Sequence, residues 1–372
     1  MRSARGFQSV STLEERERVL HIPPMIVVVT GSTGFIGRHL VDALLERGAE
    51  VRALVRPETP RDRRDPRIGH WEADLLDDRS VRESPVWDGA SQVYHLAGVT
   101  KARTLDQFRA GNVFPTANVL SALAARGGRV PRVVLVSSQA AAGPASSADA
   151  PVKETDRPLP IEAYGRSKLQ AEQAVTRYRD LLPITVLRPS SVYGPGDRDF
   201  LNVFKQERHR VALRVVPRDH AMSLVHVRDL VQALMLAAEQ TVAIGRTYFI
   251  ADEAPVTWGE LYDAIDLVMG RTPIAVPLPP FLLRVAARGG DLVSAVTGRA
   301  SIANRNKAAL ARPRWWLCDA SRARQDLGWR AGVPLLDGLR ATYNWYVDSR
   351  WLRPPKSGTR DPEQVPTEEP TT

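Results

Sequence analysis

The sequence predicts an α/β fold, with a doubly wound parallel sheet and a smaller mixed α/β lobe in its C-terminal part. Between Met25 and about Leu187, short apolar runs alternate with helical patterns, and a glycine-rich turn follows the first run. Such alternation builds parallel strands joined by right-handed helical crossovers. After Pro189 the alternation becomes irregular and prolines cluster at 273–280. This change predicts a second lobe over the carboxyl ends of the strands, where open α/β sheets bind ligands.

Each predicted element rests on a local pattern. Short runs rich in β-branched residues predict buried strands, and longer segments with helical periodicity predict helices. In chain order, the predicted strands are Ile26–Val29, Val51–Val55, Ile68–Trp71, Gln92–Leu96, Arg132–Val136 and Thr185–Leu187. The predicted helices of this region are Ile36–Arg47, Val113–Arg126 and Tyr164–Tyr178.

The two ends of the chain are predicted to lie outside the folded unit. The first residues contain one short charged segment, Leu13–Leu20, which predicts a helix but lacks the apolar stretch of a signal peptide. Met25 directly precedes the first strand and is a candidate start. The end of the chain is rich in Pro, Thr and Glu, a composition typical of disorder. We expect a flexible extension over 1–24, a sheet domain over 25–190, a substrate lobe over 191–352 interleaved with it, and a disordered tail over 353–372.

Composition and charge narrow the class of protein. No run of eighteen uncharged apolar residues occurs, so we expect no integral membrane span. The net charge is +9, from 51 Lys and Arg against 42 Asp and Glu. No basic stripe with interleaved aromatic residues accompanies this excess, so we expect no nucleic-acid partner. The apolar, arginine-containing segment 277–296 is expected to pack on the lobe, with docking on a membrane surface as the alternative.

The single cysteine, Cys318, excludes an intrachain disulfide and favours a reducing, cytoplasmic location. It follows two tryptophans in a predicted strand, so we expect a buried structural thiol. His39 and His226 have no second His or Cys at ligand spacing. We therefore expect packed histidines and no metal site.

The glycine-rich turn has the sequence T-G-S-T-G-F-I-G over residues 30–37, between the first strand and the first helix. Gly31 permits a tight turn, Gly34 lets the backbone approach a pyrophosphate, and Gly37 allows close packing of helix on strand. The turn predicts a Rossmann-type dinucleotide site. The second strand ends without an acid for the ribose hydroxyls, and Arg56, with Arg38 near the turn, could hold a 2′-phosphate. We expect NADP, with NAD as the alternative.

Tyr164 and Lys168 form a Tyr-x-x-x-Lys pair, which lies on one face of a helix. A phenol titrates near about 10 when unperturbed. A neighbouring ammonium and a positively charged nicotinamide are expected to lower its pKa, so that Tyr164 exchanges a proton with a substrate oxygen. Taken alone, the spacing is common by chance, and a surface helix pair would be the default interpretation.

The order of the motifs resembles the extended short-chain dehydrogenase/reductases, that is, the NAD-dependent epimerase/dehydratase family. The likeness is greatest to 3β-hydroxysteroid dehydrogenase-like and dihydroflavonol reductase-like members. It covers about Met25 to Trp351 and rests on the G-x-x-G-x-x-G turn and on further motifs at Asp74-Leu75, His95–Gly98, Ser137-Ser138, Tyr164–Lys168, Arg188–Asp197, His226–Asp229 and Leu327–Trp329.

The resemblance implies roles for individual residues. Ser138 would orient the substrate carbonyl, with Ser137 as the fallback. Asn112 would complete a catalytic tetrad with Ser138, Tyr164 and Lys168; its alternative is a helix cap. The cofactor would be lined by Gly31, Thr33, Gly34, Phe35, Ile36, Gly37, Arg38, Arg56, Asp74, Leu75, Leu96, Ala97, Gly98, Tyr164, Lys168, Pro189, Ser191 and Val192.

The same resemblance leaves several chemistries to compare. A dehydratase would carry an acidic pair after the serine, whereas Gln139 and alanines follow here. An epimerase would carry an arginine where this chain has Met222, although Arg198 or Arg218 could bind a diphosphate instead. We therefore expect an oxidoreductase acting on a carbonyl or secondary alcohol of a small, partly apolar substrate. A nucleotide-sugar epimerase is the alternative, and a non-catalytic NADP sensor the lesser one. A homodimer is a family expectation only.

Overall fold

The computed structural model describes residues 24–127, 130–214, 216–277 and 312–354. The predicted helix Leu13–Leu20 lies outside the described residues. So do all but the first residue of segment 277–296 and the tail from residue 355. None of the described helices is long and apolar enough to cross a membrane.

The centre of the fold is a seven-stranded sheet in which every pairing is parallel. From one edge to the other, the strands are β11 (Thr247–Ile250), β6 (Ile184–Pro189), β5 (Arg132–Val136), β4 (Gln92–His95), β1 (Ile26–Thr30), β2 (Glu50–Val55) and β3 (Gly69–Glu72). The strand order reverses between β1 and β4, and the crevice at such a point is where this architecture binds ligands. The predicted doubly wound parallel sheet is confirmed.

Helices cover both faces of the sheet, and they are α1 (Phe35–Glu46), α2 (Asp78–Glu83), α3 (Leu105–Ala124), α4 (Ala163–Val175) and α6 (Val227–Glu239). Alternate side chains of β1 enter two separate cores. Val27 and Val29 pack with residues of α1 and α6, whereas Val28 packs with residues of α2 and α3. The period of two along a strand explains this division.

The rest of the described chain forms smaller sheets and helices with a third core, which includes Phe204, Leu261 and Tyr346. Its elements are β7 (Ser191–Tyr193), α5 (Asp199–Glu207), β8 (Val211–Arg214), β9 (Ala221–Met222), β10 (Leu224–His226), β12 (Val256–Thr257), α7 (Trp258–Met269), β13 (Ile274–Pro277), β14 (Trp315–Trp316), α8 (Ser321–Leu327) and α9 (Leu335–Asp348). The division into domains at residue 190 stays a prediction.

The structure corrects one predicted helix boundary, adds one strand and shows the expected buried cysteine. Helix α3 begins at Leu105 rather than Val113, because the Thr104 hydroxyl caps it by accepting from the Gln107 amide at 3.2 Å. Strand β11 was not predicted from the sequence. It pairs with β6, although β7 to β10, which lie between them in the chain, belong to other sheets. Cys318 lies just beyond β14 and is a buried free thiol, as expected.

We predict that Gly37→Ala destabilises the fold. A Cβ at residue 37 would lie 2.1 Å from the carbonyl oxygen of Gly31, a backbone atom that cannot move without distorting the turn. The free energy of unfolding should fall by about 1–3 kcal/mol, as for other overpacked sites. Urea denaturation measures the change.

Gly127→Ala is the matched control, since a Cβ there meets nothing within 4 Å. Equal stability of the two variants would contradict the predicted close packing of α1 on the turn.

Candidate active site

The turn between β1 and α1 is closed by contacts that only glycine allows. Gly31 has a φ of 76°, and a Cβ there would lie 2.7 Å from the amide nitrogen of Ala97. Gly34 occupies the N-cap of α1 without a side-chain cap, and the first turn of that helix contains no acid. The amides at the start of α1 can therefore receive an anion, which the helix dipole also favours. This cradle fits the pyrophosphate of a dinucleotide.

A buried histidine fixes the loop that faces this turn. His95, at the end of β4, bonds through Nδ1 to the Thr30 hydroxyl at 2.7 Å and through Nε2 to the Thr116 hydroxyl at 3.1 Å. The same Thr30 oxygen accepts from the Ala97 amide at 3.1 Å. Burial, with a smaller effect of the Lys168 charge, lowers the pKa of His95 to about 3, so the ring is neutral. In the sequence, His95 stood out only as part of a motif, and its role in linking β1 to α3 was missed.

Asn112 connects the same loop to α4 from inside α3. Its Oδ1 accepts from the Val99 amide at 2.8 Å, and its Nδ2 donates to the Val99 carbonyl at 3.1 Å and the Ser167 hydroxyl at 2.8 Å. The alternative interpretation of Asn112 as a helix cap is wrong, because α3 begins seven residues earlier in the chain, at Leu105. A Cβ on Gly98 would lie 2.8 Å from Asn112 Oδ1 and 3.4 Å from Lys168 Nζ. The glycine therefore leaves space beside both polar groups.

Tyr164 lies in the first turn of α4, which is fixed by its cap. The Glu162 carboxylate accepts from the Tyr164 and Gly165 amides, and the ring of Phe108 on α3 packs 6.0 Å from the phenol ring. Burial raises the pKa of Tyr164 to about 12, while a hydrogen bond from the Ser138 hydroxyl acts in the opposite direction. The sequence-based expectation of a lowered phenol pKa is therefore wrong for the chain by itself.

Lys168 is buried one turn further along α4, and its Nζ donates to the Val136 carbonyl at 2.9 Å. Burial lowers the pKa of this ammonium to about 8, and the charge of Glu172 opposes the shift. Ser138 follows the end of β5, so its hydroxyl, Tyr164 and Lys168 come together at the carboxyl ends of the strands. The structure therefore brings together all four members of the expected tetrad.

Ser137, the fallback for Ser138, points elsewhere. It is buried, and its hydroxyl donates to the Glu172 carboxylate. That carboxylate also accepts two bonds from Arg188, at 2.9 and 2.6 Å. Ser137 is thus part of a buried polar cluster under the site and is not free to meet a substrate.

The expected adenosine end of the crevice is open. Arg38 is exposed, and Arg56 is 63% exposed with a loose ion pair to Glu58 at 3.6 Å. Asp74 follows β3, where its carboxylate accepts from the Leu76 amide at 2.9 Å, and Leu75 is buried. The arginines are available to an anion.

The remaining predicted cofactor residues lie in or beside the turn (Thr33, Phe35 and Ile36), after β4 (Leu96 and Ala97) and where β6 leads into β7 (Pro189, Ser191 and Val192). Ser191 is exposed and Pro189 is buried at the end of β6.

The residues considered for diphosphate binding have other partners. Met222 is buried in the third core, Arg198 stacks on Trp351 at 5.1 Å, and Arg218 pairs with Asp263. His226 is a buried cap whose Nδ1 accepts from the Arg228 amide at 3.3 Å. Within the described ranges, no group of three or more His, Cys, Asp and Glu could hold a metal ion.

Comparison with known proteins gives the family. The model of the NAD dependent epimerase/dehydratase family matches residues 27–251. The chain is 31% identical to the ceramide reductase of Caulobacter vibrioides, covering 88% of this chain and 96% of that one. It is 30% identical to a 4-hydroxy-2-methyl-3-oxo-4-farnesyl-3,4-dihydroquinoline-1-oxide ketoreductase of Stigmatella aurantiaca, covering 85% and 95%.

The fold is also that of a solved UDP-glucose 4-epimerase from Thermotoga maritima, with a TM-score of 0.69 at 22% identity over 88% of this chain and 100% of that one. The chain therefore belongs to the NAD dependent epimerase/dehydratase family, a group of NAD(P)-dependent oxidoreductases and epimerases of the extended short-chain dehydrogenase/reductase type.

Proposed function

We propose that this chain is a ketoreductase that prefers NADPH and acts on a carbonyl next to a long apolar group. One observation carries the proposal. The Ser138 hydroxyl lies near enough to the Tyr164 phenol to lower its pKa, and both stand near the buried Lys168, at the carboxyl ends of the strands, where the glycine-rich turn also lies. Two neighbouring hydroxyls can both reach one carbonyl oxygen.

The residues of this cluster have separable roles in the proposed reaction. A nicotinamide cofactor, held by the glycine-rich turn and Lys168, would supply the hydride that the carbonyl carbon receives. Ser138 donates a hydrogen bond to the carbonyl oxygen and orients it, and Tyr164 gives that oxygen its proton. Lys168 would supply a positive charge and a hydrogen-bond donor to the cofactor ribose. Asn112 holds the loop around Gly98 against α4, so that the ammonium keeps its position.

The protonated form of Tyr164 is the form that carbonyl reduction requires. With a pKa near 12, Tyr164 carries its proton at neutral pH, as a proton donor must. The reverse reaction needs the phenolate, which requires the positive charges of Lys168 and of the oxidised nicotinamide.

The relatives and Met222 support the proposed substrate class. The two relatives reported above are named for a ceramide and for a farnesyl-bearing ring ketone, both with long hydrocarbon groups. Met222 stands, buried and apolar, where an epimerase would carry a phosphate-binding arginine. A UDP-sugar epimerase is the second candidate, favoured by the shared fold with the Thermotoga maritima enzyme. Tightly bound NAD in the purified protein would support it.

Tyr164→Phe should reduce kcat for NADPH-dependent ketone reduction by at least about 100-fold, since the proton donor is lost. The affinity for NADPH, measured by fluorescence titration, should stay within about twofold of the wild type. Tyr178→Phe, on a phenol beyond the end of α4, is the control and should retain activity. Retained turnover in Tyr164→Phe would contradict the proposed role.

The pH dependence of reduction should be flat near neutrality. A phenol whose pKa is raised to about 12 stays protonated throughout this range, so kcat should change less than about twofold between pH 6 and 7.5. A phenol with a pKa near 7 would instead cause a decline of about tenfold per pH unit above that value. Steady-state kinetics at saturating NADPH distinguishes the two.

Arg56→Ala should weaken NADPH binding by about tenfold and leave NADH binding nearly unchanged, because only NADPH carries the 2′-phosphate. Fluorescence titration with both cofactors measures the effect. Arg340→Ala, an exposed arginine on α9, is the control. Equal losses for the two cofactors would rule out the proposed 2′-phosphate contact.

A further inference from the structure

Glu172 is a buried carboxylate on α4, one helical turn beyond Lys168, that the proposed reaction does not use. Its side chain is 10% exposed and that of its partner Arg188 is 6% exposed. Arg188 donates to both carboxylate oxygens, and Ser137 donates to one of them. Three hydrogen bonds to one buried side chain join β5, α4 and β6.

These bonds lie at the carboxyl end of β5, next to Ser138, whose hydroxyl is the one proposed to orient the substrate carbonyl. The Val136 carbonyl accepts from Lys168, and Ser137 donates to Glu172. The next residue, Ser138, lies near Tyr164, whose pKa its hydroxyl lowers. Two consecutive residues are therefore tied to α4 by hydrogen bonds, and the third faces the phenol on the same helix. Loss of the Ser137 bond would free Ser138 to shift relative to the phenol.

The charge of Glu172 also reaches Lys168. The groups packed around this ammonium from other elements are neutral: His95 on β4 and Asn112 on α3. On α4 itself, Tyr164 is protonated and Glu172 supplies the negative charge that opposes the lowered pKa of Lys168. The positive charge of Arg188 lies beyond Glu172 and is balanced by it.

We propose that Glu172 is a positioning residue of this site: its carboxylate holds Ser137 against α4, which sets Ser138 opposite Tyr164, and its negative charge stabilises the Lys168 ammonium one helical turn away. The inference rests on the proposed function. The alternative is that the ion pair of Glu172 and Arg188 is purely structural. Buried ion pairs can often be replaced by apolar residues without loss of the fold.

The test is the pH dependence of NADPH affinity, followed by fluorescence from pH 6.5 to 9.5. In the wild type, affinity should weaken above a midpoint near 8, where Lys168 loses its proton. Lys168→Arg should lack this step, which assigns the step to Lys168. Glu172→Gln should move the midpoint down by about half a pH unit or more, because the unbalanced charge of Arg188 then disfavours the ammonium.

Two further variants separate charge from geometry. Glu172→Gln/Arg188→Met removes both charges, so its midpoint should return towards that of the wild type. Ser137→Ala keeps both charges, so its midpoint should not move, whereas its kcat should fall about threefold to tenfold through misplacement of Ser138. If Glu172→Gln does not fold, the other two variants carry the test, and unchanged kcat in both would overturn the inference.

An unshifted midpoint in folded Glu172→Gln would also overturn it, leaving a structural ion pair. Absence of NADPH binding in the wild type would instead refute the proposed function itself.

Discussion

The site depends on how the carboxyl end of β5 is held against α4. Ser138 follows the strand, and the helix carries Tyr164 and Lys168, so the relative position of these two elements sets the distances among the three side chains. This relative position is fixed by the Lys168 bond to the Val136 carbonyl and by the Ser137 bond to Glu172. Leaving a hydrogen-bonding group unpaired in such buried surroundings costs free energy, so the strand and the helix are held in one relative position.

Burial acts on the two ionisable groups in opposite directions. It raises the pKa of the Tyr164 phenol and lowers that of the Lys168 ammonium, since each charged form loses water. The protein alone therefore holds an acid ready to donate and a lysine that titrates just above neutrality. An anionic dinucleotide in the cradle of Gly31 and Gly34 would stabilise the ammonium, which couples cofactor binding to the state of the site.

Local patterns predicted much of the fold and the pair of Tyr164 and Lys168, whereas Ser138 and Asn112 were expected only from the family resemblance. The apolar runs, the glycine turn and the Tyr-x-x-x-Lys spacing are short-range signals, and the strands from β1 to β6 lie within a residue or two of their predicted bounds. Strand β11 escaped prediction because its place in the sheet is decided by pairing with β6, far away in sequence. The bond between Glu172 and Arg188 and the neutral His95 escaped for the same reason, as both are products of tertiary packing.

The pKa of Tyr164 is a further property that depends on tertiary packing and could not be predicted from residue spacing. The spacing of Tyr164 and Lys168 correctly placed both on one helix face, but the sign of the phenol shift depends on how much water the fold removes. Spacing alone carries no information about burial, so the ammonium was expected to dominate. In the structure, burial is the larger effect on Tyr164.

The most direct test is a crystal structure of the protein with NADP. We expect the nicotinamide to lie beside Ser138 and Tyr164, with both hydroxyls on one side of its C4 atom and Lys168 within hydrogen-bond distance of the adjoining ribose. A nicotinamide bound away from the Tyr164 phenol, with no space for a carbonyl between them, would contradict this expectation.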